Sequence, residues 1–175
     1  GGLTLIAEDR TEQLQLSGIA LDAYSRFCCH YAAQCRQHFH VWMSPNQREA
    51  VEWFELEFTN LRSAYRSAVG LGRLDDAATI AVRAVVVAAL SFSVEPVDWC
   101  AELLRTEGAV GLDELHLLYA GASHSSFLGS NLEEAVVLGR RGLELALTSD
   151  RMDAHTCAAL VGLQVGLVFS GRVDE

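Results

Sequence analysis

Cys28, Cys35 and His38 are spaced seven and three residues apart, so on one helix they share a face, and with His40 nearby they offer the thiolate and imidazole ligands that zinc prefers. A four-ligand zinc site on a single helix is unusual, and cysteine serves equally well as a small apolar side chain, so packing is the favoured reading. A second set is His116 and His124 with Ser123, Ser125 and Ser126, the residue types of a hydrolase. Neither a G-x-S-x-G turn nor an orienting acid accompanies them, so a polar helix face explains them more simply. No base or charge partner can be named for Cys29, Cys100 or Cys157, which argues against reactive-thiol chemistry. The expectation is therefore no catalytic residue, no enzyme activity and no cofactor.

Glu57, Asn60 and Arg62 form the third set. On a helical projection Glu57 falls in the apolar stripe between Phe54 and Leu61, where a carboxylate must be paired or protonated. Either Glu57 and Arg62 contribute to an effector pocket, or Glu57 is a cross-helix anchor satisfied by Arg26, His30 or Tyr31; the anchor is favoured, because structural ion pairs perturb carboxylates as active sites do. Trp42, Trp53 and Trp99 are candidates to line a ligand groove, Trp53 and Trp99 beside Arg62, although helical spacing makes core packing the default for all three.

Such groups must be positioned by helices. Only two prolines occur in 175 residues, Pro45 and Pro96, while alanine, leucine and valine abound. Pattern and punctuation predict eight helices, at about 5–16 (stopped by Gly18), 21–42, 47–69, 74–90, 96–105, 112–128, 132–148 and 152–169. The third carries the clearest amphipathic stripe. The fourth is apolar nearly all round except for a strip of Asp76, Thr79 and Arg83, as expected of a rod covered on most sides.

A turn phrase recurs: Gly72-Arg-Leu-Asp-Asp-Ala77, Ser130-Asn-Leu-Glu-Glu-Ala135 and Gly171-Arg-Val-Asp-Glu175. Each breaks one helix and starts another whose alanine permits close packing, as in stacked helix-pair repeats. Spacings of 58 and 41 residues between copies are irregular, so the array is tetratricopeptide-like without matching the strict consensus. The expected fold is all-α: antiparallel helix pairs in an α-solenoid of about eight helices. Residues 1–18 read as a linker helix from a preceding domain, and 19–175 as a repeat domain that stops mid-repeat. The acids that open these helices, such as Asp75-Asp76 and Glu133-Glu134, complement the helix dipole and need no cation.

Half of the residues are hydrophobic, enough for a real core, and 13 Lys plus Arg against 23 Asp plus Glu give a formal charge of −10. That sign repels phosphate backbones and anionic lipid, so no direct nucleic-acid contact and no membrane contact are expected. Five cysteines without a spaced, even framework point to a reducing compartment, hence the cytoplasm. The most apolar window, Ala77 to Phe92, is short of the roughly 20 residues that span a bilayer and contains Arg83.

The stretch Trp53-Phe-Glu-Leu-Glu57-Phe-Thr-Asn60-Leu61-Arg62-Ser-Ala64, followed by Gly72 to Ala77, resembles the E-x-x-N-L-R-x-A segment of LuxR/MalT-like and AfsR-like bacterial ATPase transcriptional regulators, some of them fused to adenylate cyclase. Upstream, Ile6, Glu12-Gln-Leu14 and Gly18, then Arg26 to Ala33, look like the linking segment before that motif, so the resemblance covers roughly residues 3 to 105. It implies a helical-repeat region lying between an ATPase module and a DNA-binding helix-turn-helix. Neither a G-x-x-x-x-G-K-[ST] loop nor a basic recognition helix occurs in this chain. What the resemblance implies here is a non-catalytic regulatory and protein-interaction domain whose partners are proteins or adjoining modules of the same chain. The alternatives are an inducer-sensing domain with a small-molecule effector near Trp53, Arg62 and Trp99, and a metal-binding domain using Cys28, Cys35 and His38. A truncated repeat edge with an uncovered apolar face also makes a homodimer conceivable.

Overall fold

A computed structural model describes the backbone of residues 2–91 and 95–174 and the side chains of residues 18–87 and 95–174. Phe92, which ends the apolar window, and the side chains of Ile6, Glu12 and Leu14 lie outside the described residues. Among the described residues there is no strand. The helices are α1 (Gly2–Trp42), α2 (Gln47–Leu56), α3 (Phe58–Gly70), α4 (Leu74–Ser91), α5 (Glu95–Leu104), α6 (Leu115–Leu128), α7 (Leu132–Thr148), α8 (Ala154–Ala159) and α9 (Val161–Phe169), with a 3-10 turn at Ala109–Gly111. The fold is all-α, as expected. No helix is long and apolar enough to cross a membrane among the described residues.

Three boundaries differ from expectation, for physical reasons. Gly18 does not stop a helix, and α1 runs through it; positive φ occurs at Gly72, Gly108 and Gly171, not at Gly18. A glycine that keeps a helical φ costs about 1 kcal/mol without ending the helix. The predicted helix 47–69 is bent at Glu57 and the predicted 152–169 at Leu160, which separate α2 from α3 and α8 from α9. Backbone bonds still cross both bends, from Glu57 N–H to the Trp53 carbonyl at 2.9 Å and from Leu160 N–H to the Thr156 carbonyl at 3.1 Å.

The recurrent turn phrase has one backbone form. At Gly72, Ser130 and Gly171 φ is 68°, 63° and 73°. In each copy the next residue's N–H reaches back five positions: Arg73 to the Ala68 carbonyl at 2.9 Å, Asn131 to Ser126 at 2.8 Å and Arg172 to Leu167 at 2.9 Å. This is the Schellman closure, which satisfies orphan carbonyls at the helix end and turns the chain back. A fourth instance, unmarked by the phrase, sits at Asp150, with φ 53° and Arg151 N–H on the Ala146 carbonyl at 2.8 Å.

Short connections make chain neighbours pack on each other. α1 lies against α2, α3 and α4; α4 against α5 and α6; α6 against α5, α7 and α9. α4 is central, as its composition predicts: Ala77, Ile80, Ala81 and Val82 are fully buried, and Val85, Val86 and Val87 nearly so. On α1 the buried positions Cys28, Ala32, Cys35 and Phe39 recur at helical spacing. The far end packs through small residues. A Cβ on Gly142 would meet the His116 carbonyl oxygen at 2.8 Å, and one on Gly162 would meet the His124 backbone nitrogen at 2.4 Å, so α7 and α9 approach the α6 backbone more closely than any larger residue allows.

α8 adds contacts beyond chain neighbours, since it also packs on α4 and α6. The His155 ring of α8 lies 4.1 Å from the Phe39 ring of α1. Distant parts of the chain therefore meet on one inner side, formed by α1, α4, α6 and α8.

Two substitutions test this packing. Gly162→Ala should cost about 3 kcal/mol or more in urea unfolding, because its new methyl meets main chain that cannot yield. Ser130→Gly should gain about 1 kcal/mol, because it relieves an L-residue held at positive φ.

Candidate functional site

The E-x-x-N-L-R-x-A residues are ties between helices. Glu57 sits at the α2–α3 bend, half-buried, and its Oε2 accepts hydrogen bonds from Asn60 Nδ2 at 2.7 Å and Tyr31 Oη at 2.8 Å. Those bonds, Asn60 first and Tyr31 next, hold its carboxyl below the usual range. Of the three anchors envisaged, Tyr31 is the one used; Arg26 pairs with Asp22, and His30 lies edge-on to the Tyr31 ring. Arg62 turns the other way. It grips Glu95 of α5 with two hydrogen bonds, Nε to Oε1 at 2.7 Å, and lies over the Phe58 ring at 4.9 Å. Leu61 and Ala64 are fully buried between them. One turn further on, Arg66 repeats the grip on Glu102.

Trp53, Arg62 and Trp99 do not share a groove. Trp99 is 0 % exposed, stacked on Tyr65 with centroids 4.6 Å apart, whereas Trp53 stacks on His38 at 3.9 Å. Trp99 is a core residue, and Arg62 is paired with Glu95.

The Cys28, Cys35 and His38 face is also packing. Cys28 and Cys35 are 0 % exposed, and Cys28 Sγ approaches the Ala64 carbonyl oxygen at 3.5 Å. Burial pushes the Cys35 thiol up to about 12, away from the thiolate a metal needs. Among the described residues no three His, Cys, Asp or Glu side chains gather where an ion could be held. Two hydroxyls of the serine–histidine set are engaged elsewhere: Ser123 donates to the Ala135 carbonyl at 2.6 Å, and Ser125 to Asp98 Oδ1 at 2.7 Å.

What the fold does assemble is on the inner side. The polar strip of α4 meets groups from two other places in the chain. Arg36 of α1 donates to Thr79 Oγ1 at 2.9 Å, and Arg83 donates to the Thr79 carbonyl at 3.1 Å and to Glu114 Oε1, just before α6, at 2.8 Å. The Arg83 and Glu114 side chains are only 12 % and 19 % exposed, so this pair is far better shielded than the surface pairs. Beside it His155 Nε2 lies 3.4 Å from the Val82 carbonyl oxygen, which fits a neutral ring protonated on Nε2. Burial first, and then the Arg83 charge, push His155 down to about 4; His116 is lowered too, by burial and then by Arg151. Asp153 opens α8 by accepting from Thr156 N–H at 2.7 Å and raises His155 slightly, without offsetting the burial.

Next to this network lies a cavity of about 330 Å³. Its walls are Trp42 at the end of α1, Val85 and Val86 of α4, and Gly121 and His124 of α6. Ala158, Ala159 and Val161 close it from α8 and α9. His124 is 8 % exposed, makes no hydrogen bond to any described residue and is held neutral by burial. Of these wall positions the sequence singles out Trp42 and His124; the Thr79–Arg83 strip is visible there too, but its partners Arg36 and Glu114, and His155 beside them, are not.

The network has two measurable consequences. The stability that His155 contributes is complete above its ordinary value of 6.5 and is lost as pH falls toward about 4, because only the unfolded chain takes up the proton in that window. At pH 5 urea unfolding should be about 2 kcal/mol weaker than at pH 7, and His155→Phe should remove much of that difference. Glu114→Ala should cost about 3 kcal/mol by leaving Arg83 shielded and unpaired, and adding Arg83→Met should recover a good part of it. No family model, curated protein or solved structure matches this chain.

Proposed function

We propose that the chain is a non-catalytic regulatory and protein-interaction repeat domain of a multidomain bacterial transcriptional regulator. The observation that carries this reading is the use made of the Glu57–Ala64 segment. Its characteristic residues bind α3 to α1 through Glu57 and Tyr31, and to α5 through Arg62 and Glu95. A segment resembling that of ATPase regulators thus sets the spacing of stacked helices, which is what a transmitting array requires.

The outer end supports the interaction part of the reading. Phe127, Leu128, Leu132 and Phe169 line a second recess of about 430 Å³, and Val168, Phe169 and Val173 are 58 %, 69 % and 67 % exposed. Exposed apolar side chains around an apolar recess favour the docking of another polypeptide surface. In mechanism, a partner that prefers one arrangement of the helices biases the modules attached to them, by as much as its affinity for the two arrangements differs.

A genomic Leu128→Asp/Phe169→Asp variant tests the reading, since both side chains are exposed and the fold should survive. Melting within about 0.5 kcal/mol of the parent is expected, together with a shifted set of transcripts that matches deletion of residues 19–175. Unchanged transcripts in both strains would count decisively against a regulatory role.

A further inference from the structure

We propose that the cavity between α1, α4, α6, α8 and α9 is a binding site for a small, uncharged, mainly apolar molecule carrying one hydroxyl or carbonyl group that hydrogen-bonds His124. The site deepens the regulatory reading and rests on it only for its consequence; binding itself is a property of this chain.

Size comes first. At about 330 Å³ the space lies at the lower end of the roughly 300–1,000 Å³ typical of small-molecule sites, and exceeds the ~150 Å³ cavity that admits benzene. Its lining is valine, alanine, glycine and a tryptophan, with no charged side chain among the described wall residues. A carboxylate, phosphate or ammonium group entering it would lose part of its hydration without gaining a counter-charge from the described walls, which favours a neutral occupant.

His124 supplies the specificity. It is more than nine-tenths buried, lines the cavity and has no hydrogen-bond partner among the described residues. A buried imidazole in the neutral form has one donor and one acceptor to satisfy, and an apolar occupant would leave both empty. A molecule with a single hydroxyl or carbonyl satisfies one of the two. Neither the Ser123 hydroxyl, which is held by Ala135, nor His155, which faces Val82, competes for that bond.

Position gives the consequence. The walls come from helices that belong to successive packing groups, from α1 at one end to α9 at the other. An occupant touches all of them at once and favours the arrangement in which they stand at the spacing seen here.

The test uses three probes of equal ring size at pH 7.5: p-cresol, toluene and 4-methylbenzoate, followed by calorimetric titration and thermal shift. p-Cresol should bind and raise the melting temperature, toluene should bind about tenfold more weakly for want of the hydrogen bond, and 4-methylbenzoate should not bind. His124→Phe should abolish the preference for p-cresol over toluene. Ala158→Phe, which fills the space, should abolish binding while the melting curve stays cooperative; Val161→Phe serves if that chain fails to fold. The proposal is overturned by no p-cresol binding at millimolar concentration, by benzoate binding as well as cresol, or by unchanged binding in a folded filled variant. A failure here leaves the transcript comparison standing, and unchanged transcripts would leave the binding data intact, so the two readings fall separately.

Discussion

The burial of α4 is the constraint on which the remaining structure depends. A helix whose sequence runs Ala77-Ala-Thr-Ile-Ala-Val-Arg-Ala-Val-Val-Val87 has no face suited to water, so it is stable only when enclosed. Burying each valine or isoleucine contributes about 1.5–3 kcal/mol, and the conformational entropy of the ordered chain offsets most of the sum. α1, α3, α5, α6 and α8 are arranged around this rod. Its one polar strip must then find partners inside the fold, which is why Arg36 and Glu114 are drawn to the same place.

The polar ties divide into two kinds. The Arg62–Glu95 and Arg66–Glu102 pairs are a third to a half exposed, and pairs of that sort contribute little to stability while fixing the register of one helix on another. Arg83–Glu114 is shielded, and either group alone would be costly, so the pair acts as a lock between α4 and the start of α6. Glu114 Oε2 is buried without a partner among the described residues, so the lock is incompletely satisfied. The cavity opens between α1, α4, α6, α8 and α9, whereas Tyr65 and Trp99 stack on each other between α3 and α5.

Much of the helix map was legible in sequence. α7 begins and ends where its pattern says, because Asn131 caps it by accepting from Glu134 N–H and the apolar period is clean. α4 was readable as central from its composition. Errors arose where a local signal has two meanings. Gly18 is a stop only if its φ turns positive, and a glycine flanked on both sides by residues that continue the helix has no cause to do so. Glu57 was placed in an apolar stripe on the assumption of a straight helix, and the bend at that residue brings it to the rim instead, next to an exposed Leu56. Cys28, Cys35 and His38 do share one side of α1, but sequence spacing carries no information on whether a fourth ligand or the Ala64 carbonyl waits opposite.

Sequence alone was sufficient for the class of fold, the helical periods and the recurrent turn, because each depends on interactions within a few residues: i to i+4 hydrogen bonds, caps, and a residue able to take positive φ. Tertiary structure alone decided which groups meet. The Arg36–Thr79–Arg83–Glu114 network, the His155 contact with Phe39 and the cavity beside His124 all join residues from separate helices. Their convergence depends on how closely helices approach at Gly142 and Gly162 and on how α8 folds back onto α4, and these distances are set by packing across the whole core rather than by any local pattern.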